Sequence, residues 1–80
     1  MTPNEILDTL QDIFRDTFDQ ADLEVTRDTT AEDVEGWDSL THIQLVSAVE
    51  AHFGIKFKLM EIMKFNDVGD LCDCIAKHTA

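Results

Sequence analysis

A chain of 80 residues with 17 acidic and 6 basic side chains carries a formal net charge of -11. Its length permits one domain, read here as a single unit over residues 1–80, and so short a chain buries only about 60% of the surface it would expose unfolded, so its core must be compact. The charge excludes nucleic acid and favours proteins with basic docking patches; with no apolar run near the roughly 20 residues of a membrane span and no signal-peptide pattern, a cytoplasmic monomer without membrane insertion is expected.

Thr2-Pro3-Asn4-Glu5 has the form of a capping box with proline at the first helical position, so a helix is predicted to follow directly. Ile6, Leu7, Leu10, Ile13, Phe14 and Phe18 recur at steps of three and four, one apolar stripe on a helix ending near residue 18. Residues 19 to 37 break that period. Asp, Thr and Glu dominate there, Leu23, Val25 and Val34 are the residues able to pack, and Gly36 supplies a turn; long connections of this kind carry function or are tethered by a few apolar anchors.

A second helix is predicted from Asp38 or Ser39 to about His52, with Leu40, Ile43, Val46, Val49 and Phe53 on its inner face, Leu45 alongside, and Gly54 placed to end it. Ile55-Lys56-Phe57 reads as a short extended link and Leu59 to Lys64 as one or two helical turns. Asn66 or Asp67 can cap a last helix whose inner stripe is Val68, Leu71, Cys72 and Ile75, with Ala76 at its margin. The expected fold is all-α: a small four-helix bundle of three main helices and one short one, with a long loop between the first and second.

The cysteines, Cys72 and Cys74, are two apart, a spacing that points their side chains to nearly opposite sides of a helix and suits neither a disulfide nor a redox pair. Cys-Asp-Cys lacks a second ligand pair, no EF-hand pattern is present, and no metal site is expected. Met60 and Met63 with Phe57 and Phe65 flank the short helix; core filling is the simpler role, an adaptable acyl pocket the sharper one.

Ser39 falls where the second helix begins. The first N–H groups of a helix lack internal partners and the dipole places partial positive charge there, so a phosphate attached to that serine is favoured. Asp38 can cap the same helix through N2 or N3 and so fix the direction of the hydroxyl. Trp37 and Leu40, apolar and on either side, can anchor the loop and first turn to the core. By spacing alone, a local capping pair is the simpler reading of Asp38-Ser39. His42, one turn on, invites a nucleophile-and-base reading with Asp38 as orienter; it fails because an adjacent Asp cannot easily orient that histidine, and no oxyanion-hole glycine motif is present. No catalytic residue is assigned.

Gly36-Trp37-Asp38-Ser39-Leu40, followed by Thr41-His42-Ile43-Gln44-Leu45-Val46 and closed by Glu50-Ala51-His52-Phe53-Gly54-Ile55, resembles the acyl carrier protein family, and the order of helices matches over nearly the whole chain. The resemblance implies that Ser39 carries 4'-phosphopantetheine, transferred from coenzyme A by a phosphopantetheinyl transferase, with Asp38 and Leu40 at the base of the arm. An acyl group would ride on the arm's thiol as a thioester between acyl-loading and acyl-processing enzymes. In the family's fatty acid carriers the second helix shows several exposed carboxylates. Here its outward positions are Thr41, Gln44, Ser47, Ala48 and Ala51, with Glu50 the one acid, so the expected partner face is an acidic rim of Glu32, Asp33, Glu35, Asp38 and Glu61 together with Thr41 and Gln44. The Trp-Asp-Ser-Leu-Thr-His form is similar to discrete carriers of polyketide, peptide or specialised lipid pathways. A peptidyl carrier differs in cargo alone; an unmodified acidic helical adaptor is the alternative of another class.

Overall fold

The computed structural model describes residues 2–79. Four helices follow in order: α1 (Pro3–Phe18), α2 (Ser39–Phe53), α3 (Leu59–Met63) and α4 (Val68–Thr79), with no strand among the described residues. The first start signal acts as its residues dictate. Thr2 Oγ1 accepts from the Glu5 N–H at 3.2 Å and Glu5 Oε1 accepts from the Thr2 N–H at 3.0 Å, so two otherwise orphaned donors are satisfied reciprocally. Asp19 in the left-handed region (φ 53°) ends α1, and Gly54 (φ 66°) ends α2 as expected.

α1 packs on both α2 and α4. Its Ile6, Leu10 and Phe14, spaced by four, are fully buried against Leu45, Val46 and Val49 of α2 and Val68, Leu71, Cys72 and Ile75 of α4; Val25 and Phe57 from the connections close the core. Leu7, Ile13 and Phe18 flank it, half-buried.

One expectation is corrected here. Leu40 and Ile43 do not belong to the inner face of α2: they are 69% and 53% exposed, and the core side is Leu45, Val46 and Val49. Each step of three along a helix falls about 60° short of a full turn. The series 40, 43, 46, 49 takes three such steps, so Leu40 ends on the opposite side of the cylinder from Val49. Leu40 therefore anchors nothing to the core.

The long loop is held at both ends and in the middle. Arg15 Nε donates to the Leu23 carbonyl at 2.7 Å, the Val25 N–H to Gln11 Oε1 at 3.2 Å, and Gln20 Nε2 to the Glu35 carbonyl at 2.9 Å. It also supplies the start of α4: the Thr29 and Arg27 carbonyls accept from the N–H groups of Val68 (2.9 Å) and Gly69 (2.8 Å), and Asp67, of the two caps predicted, accepts from Asp70 at 2.8 Å. The first three orphan donors of α4 are thus satisfied, two of them by loop carbonyls. Gly69 permits this approach, since a Cβ there would stand 2.9 Å from the Arg27 carbonyl oxygen.

α3 is tied to α4 through Glu61, whose oxygens accept from the Lys58 N–H (2.9 Å) and the Cys74 thiol (3.0 Å) and lie 3.1 and 3.2 Å from His78 Nε2. Glu61 therefore turns inward, not onto the expected acidic rim. The Lys58 N–H chiefly, with the Cys74 thiol and His78, holds its carboxyl down to about 2. Glu50 is similarly occupied, Oε2 accepting from the Phe57 N–H at 2.8 Å.

Two outcomes check this packing. Leu45→Ala should cost about 2–5 kcal/mol in chemical denaturation, whereas Leu40→Ala stays within about 0.5 kcal/mol. A carboxyl lowered from 4.5 to about 2 on folding contributes stability that is complete above the ordinary value and is lost as pH falls through the folded one. Glu61→Gln should accordingly be less stable than the parent at neutral pH, the gap closing as denaturation is repeated from about pH 5 down to pH 2.

Candidate functional site

The local sequence sets the start of α2 with three residues. Asp38 is extended (φ -128°, ψ -170°), and its Oδ1 accepts from the N–H groups of both Leu40 and Thr41 at 3.0 Å. Thr41 returns the contact: its Oγ1 accepts from the Asp38 N–H at 2.7 Å and donates to the Gly36 carbonyl at 2.7 Å. The Thr41 N–H above all, with the Leu40 N–H, holds the Asp38 carboxyl below its ordinary range. Gly36 adopts φ 89°, a left-handed turn that brings its carbonyl to Thr41. Thr41 was expected on the partner face; its hydroxyl instead belongs to the cap, and the Asp-x-x-Thr spacing was the signal that could have revealed it.

Ser39 is the first residue of α2 and is exposed. Its hydroxyl takes no part in the capping hydrogen bonds, which run between Asp38, Leu40, Thr41 and Gly36. One element of the expected electrostatics changes. Asp38 already occupies the donors of Leu40 and Thr41, so a phosphate on Ser39 would gain from the helix dipole and from the Ser39 N–H, not from those two amides.

Trp37 fixes the approach to the serine. Its ring meets Phe14 edge-on at 5.1 Å and Phe18 at 6.3 Å, which seats the end of the loop on α1. Its Nε1–H donates to His42 Nδ1 at 3.1 Å, with the two rings near-parallel at 6.0 Å. Because Nδ1 accepts, the proton of the neutral imidazole sits on Nε2, which faces the Ile62 carbonyl at 3.2 Å and donates to it. Both ring nitrogens are committed, so His42 is a staple between loop, α2 and α3. That role was not legible from spacing, because its partners lie five and twenty residues away.

Beside Ser39 opens a cleft of about 410 Å³ between α2, α3 and the end of the loop. Ile43, Leu59, Ile62, Met63 and Phe65 give it apolar walls, while Asp38, Ser39 and His42 stand on its polar side. The volume is within the roughly 300–1,000 Å³ of small-molecule sites. Met63, itself exposed, and the half-buried Phe65 thus line this open cleft, whereas Phe57 is buried and Met60 is exposed outside it.

Of the expected rim, Glu32, Asp33, Glu35 and Asp38 are exposed in the segment leading to Ser39, as is Gln44 on α2. Asp33 is partly engaged, its Oδ2 accepting from the Thr30 N–H at 3.0 Å. The cysteines are free; burial pushes the Cys72 thiol up to about 11, and burial with the Glu61 carboxylate pushes Cys74 up to about 12, so both remain protonated. No helix among the described residues is long and apolar enough to cross a membrane.

Ser39 thus stands exposed at a helix start, above a cap that Asp38 and Thr41 close and beside an apolar cleft. The family model described as the phosphopantetheine attachment site matches residues 8–75. No curated protein matches the chain. Among solved structures, a holo acyl carrier protein from Geobacter metallireducens is 46% identical, with a TM-score of 0.85 over 90% of this chain and 83% of its own. A protein assigned as an acyl carrier protein from Mycobacterium tuberculosis shares the fold at 22% identity, with a TM-score of 0.81 over 90% of this chain and 96% of its own. With a family match over most of its length and a holo carrier of the same fold at this identity, the chain belongs to the acyl carrier protein family, whose prosthetic group is 4'-phosphopantetheine and whose members are carriers, not enzymes.

Proposed function

We propose that Ser39 is the attachment residue and that the chain carries acyl intermediates as thioesters for a specialised lipid, polyketide or related pathway. The observation that carries this reading is the exposed Ser39 hydroxyl at the first position of α2, outside every hydrogen bond of the cap and beside the apolar cleft. When bound, the prosthetic arm supplies a thiol that holds the acyl group. The chain itself orients and admits. Asp38 and Thr41 fix the helix start, Trp37 and His42 tie the end of the loop to α2, and Leu40 and Ile43 offer exposed apolar contact to an enzyme that reaches the serine. The walls formed by Ile43, Ile62, Met63 and Phe65 would shelter an acyl chain.

Partners are a phosphopantetheinyl transferase and acyl-processing enzymes, as the family implies. Their docking charge lies ahead of α2, on Glu32, Asp33, Glu35 and Asp38, because the one acid within α2, Glu50, is bonded to the Phe57 N–H. This placement differs from a carboxylate-studded second helix and supports a dedicated set of partner enzymes.

Incubation with coenzyme A and a broad-specificity phosphopantetheinyl transferase should add one phosphopantetheine to the parent by intact mass and none to Ser39→Ala. Addition to the alanine variant would place the arm elsewhere. Raising ionic strength from low salt to about 0.15 M, where the screening length falls to about 8 Å, should slow that transfer, and Glu32→Lys/Glu35→Lys should slow it at low salt. A rate indifferent to both would remove the rim from recognition.

A further inference from the structure

One cluster of chemistry-bearing side chains lies outside the serine site. Cys74 and His78, four residues apart on α4, share a helix face, and α3 brings Glu61 to them. The Cys74 thiol donates to Glu61 Oε2 at 3.0 Å, and His78 Nε2 lies 3.1 and 3.2 Å from the two carboxylate oxygens. One ligand atom from each residue falls within 4.8 Å of the other two, and the Glu61 and His78 side chains are 19% and 25% exposed, screened yet reachable.

We propose that Glu61, Cys74 and His78 form a binding site for a zinc-class divalent cation, with a carboxylate oxygen, Sγ and Nε2 as three ligands and water as the fourth. The geometry is near what zinc needs. Bonds of about 2.0–2.3 Å in a tetrahedron set neighbouring donors about 3.4–3.6 Å apart; the sulfur–oxygen pair at 3.0 Å and the nitrogen–oxygen pair at 3.1 Å have to spread by only a few tenths of an ångström, and sulfur and nitrogen lie within 4.8 Å of each other. Thiolate, imidazole and carboxylate together select zinc over magnesium or calcium, which take oxygen ligands. Two outer contacts already orient the ligands: the Lys58 N–H on Glu61 Oε1 at 2.9 Å, and the Phe57 ring, edge-on to His78 at 5.4 Å. A groove lined by Lys64, Asp70, Asp73 and Lys77 opens onto Glu61 and Cys74 and gives the fourth position access to solvent.

On binding, the cation replaces the thiol proton. The S–H bond breaks, a sulfur–metal bond forms, one proton leaves to solvent, and the thiolate and carboxylate charges balance the dication. Spacing concealed the site because its third ligand comes from a different helix than the cysteine. Occupancy would clamp α3 to α4, and α3 presents Ile62 and Met63 to the cleft beside Ser39. The site stands independently of the carrier reading.

The test uses metal-free full chain with excess magnesium present. One equivalent of Co(II) should give an intense near-ultraviolet thiolate charge-transfer band with tetrahedral visible bands, displaced by one equivalent of zinc. In Cys74→Ser the charge-transfer band should be absent, and zinc binding in Cys74→Ser and His78→Gln should each weaken more than about tenfold. Cobalt binding without that band in the parent, a band that persists in Cys74→Ser, or zinc affinity equal in parent and variants would overturn the site. Should a variant fail to fold, the parent cobalt spectrum decides by itself.

Discussion

The carboxylate of Asp38, bonded to the N–H groups of Leu40 and Thr41, fixes the residue at which α2 begins. Were the helix to start one residue later, Ser39 would be part of the loop, and its hydroxyl would leave the helix axis and the mouth of the cleft. Thr41 makes the arrangement reciprocal and ties it to the Gly36 carbonyl, so cap, turn and preceding loop move as one piece. Trp37 then secures that piece to α1 through Phe14, and to α3 through His42 and the Ile62 carbonyl. The proposed attachment residue is thus exposed on a rigid support, a combination that suits a site modified by one enzyme and visited by others.

The loop of residues 19 to 38 is a structural member of the fold. With few apolar residues to bury, it is held by hydrogen bonds: side chains of α1 accept from and donate to it, and its carbonyls complete the first turn of α4. Its carboxylates then face solvent ahead of Ser39 on a backbone that has little freedom left. α3 has a different kind of support. At five residues it buries none of its side chains fully, and its position rests on Glu61 and on the Ile62 carbonyl. The wall of the cleft that α3 forms is therefore the part most open to change by local chemistry.

Types and bounds of the three long helices were legible in the sequence because each carries its own signals: the Thr2 box, Gly54 at the end of α2, Asp67 at the start of α4, and clean four-residue spacing in Ile6, Leu10 and Phe14. Ser39 was singled out through its neighbours in the motif, and it stands exposed at the first position of α2. What escaped was direction and partnership. Leu40 and Ile43 read as core because a run of three-residue steps looks periodic while it rotates around the helix. Thr41 read as surface because its role depends on a backbone carbonyl, and Glu61 read as rim because its partners, Cys74 and His78, lie on another helix. Gly69 passed without notice because the loop carbonyl it admits comes from residue 27. Each is a contact between segments, which local pattern does not encode.

The carrier function proposed for Ser39 depends on presentation: a hydroxyl held outward, a cap that consumes the competing backbone donors, and an apolar recess close by. The most direct measurement of the central claim is amide hydrogen exchange at Leu40 and Thr41, positions that in an uncapped helix have no acceptor. The account requires slowed exchange at both amides in the parent and its loss in Asp38→Ala, with exchange in the middle of α2 retained. Equally fast exchange at Leu40 and Thr41 in parent and variant would contradict it.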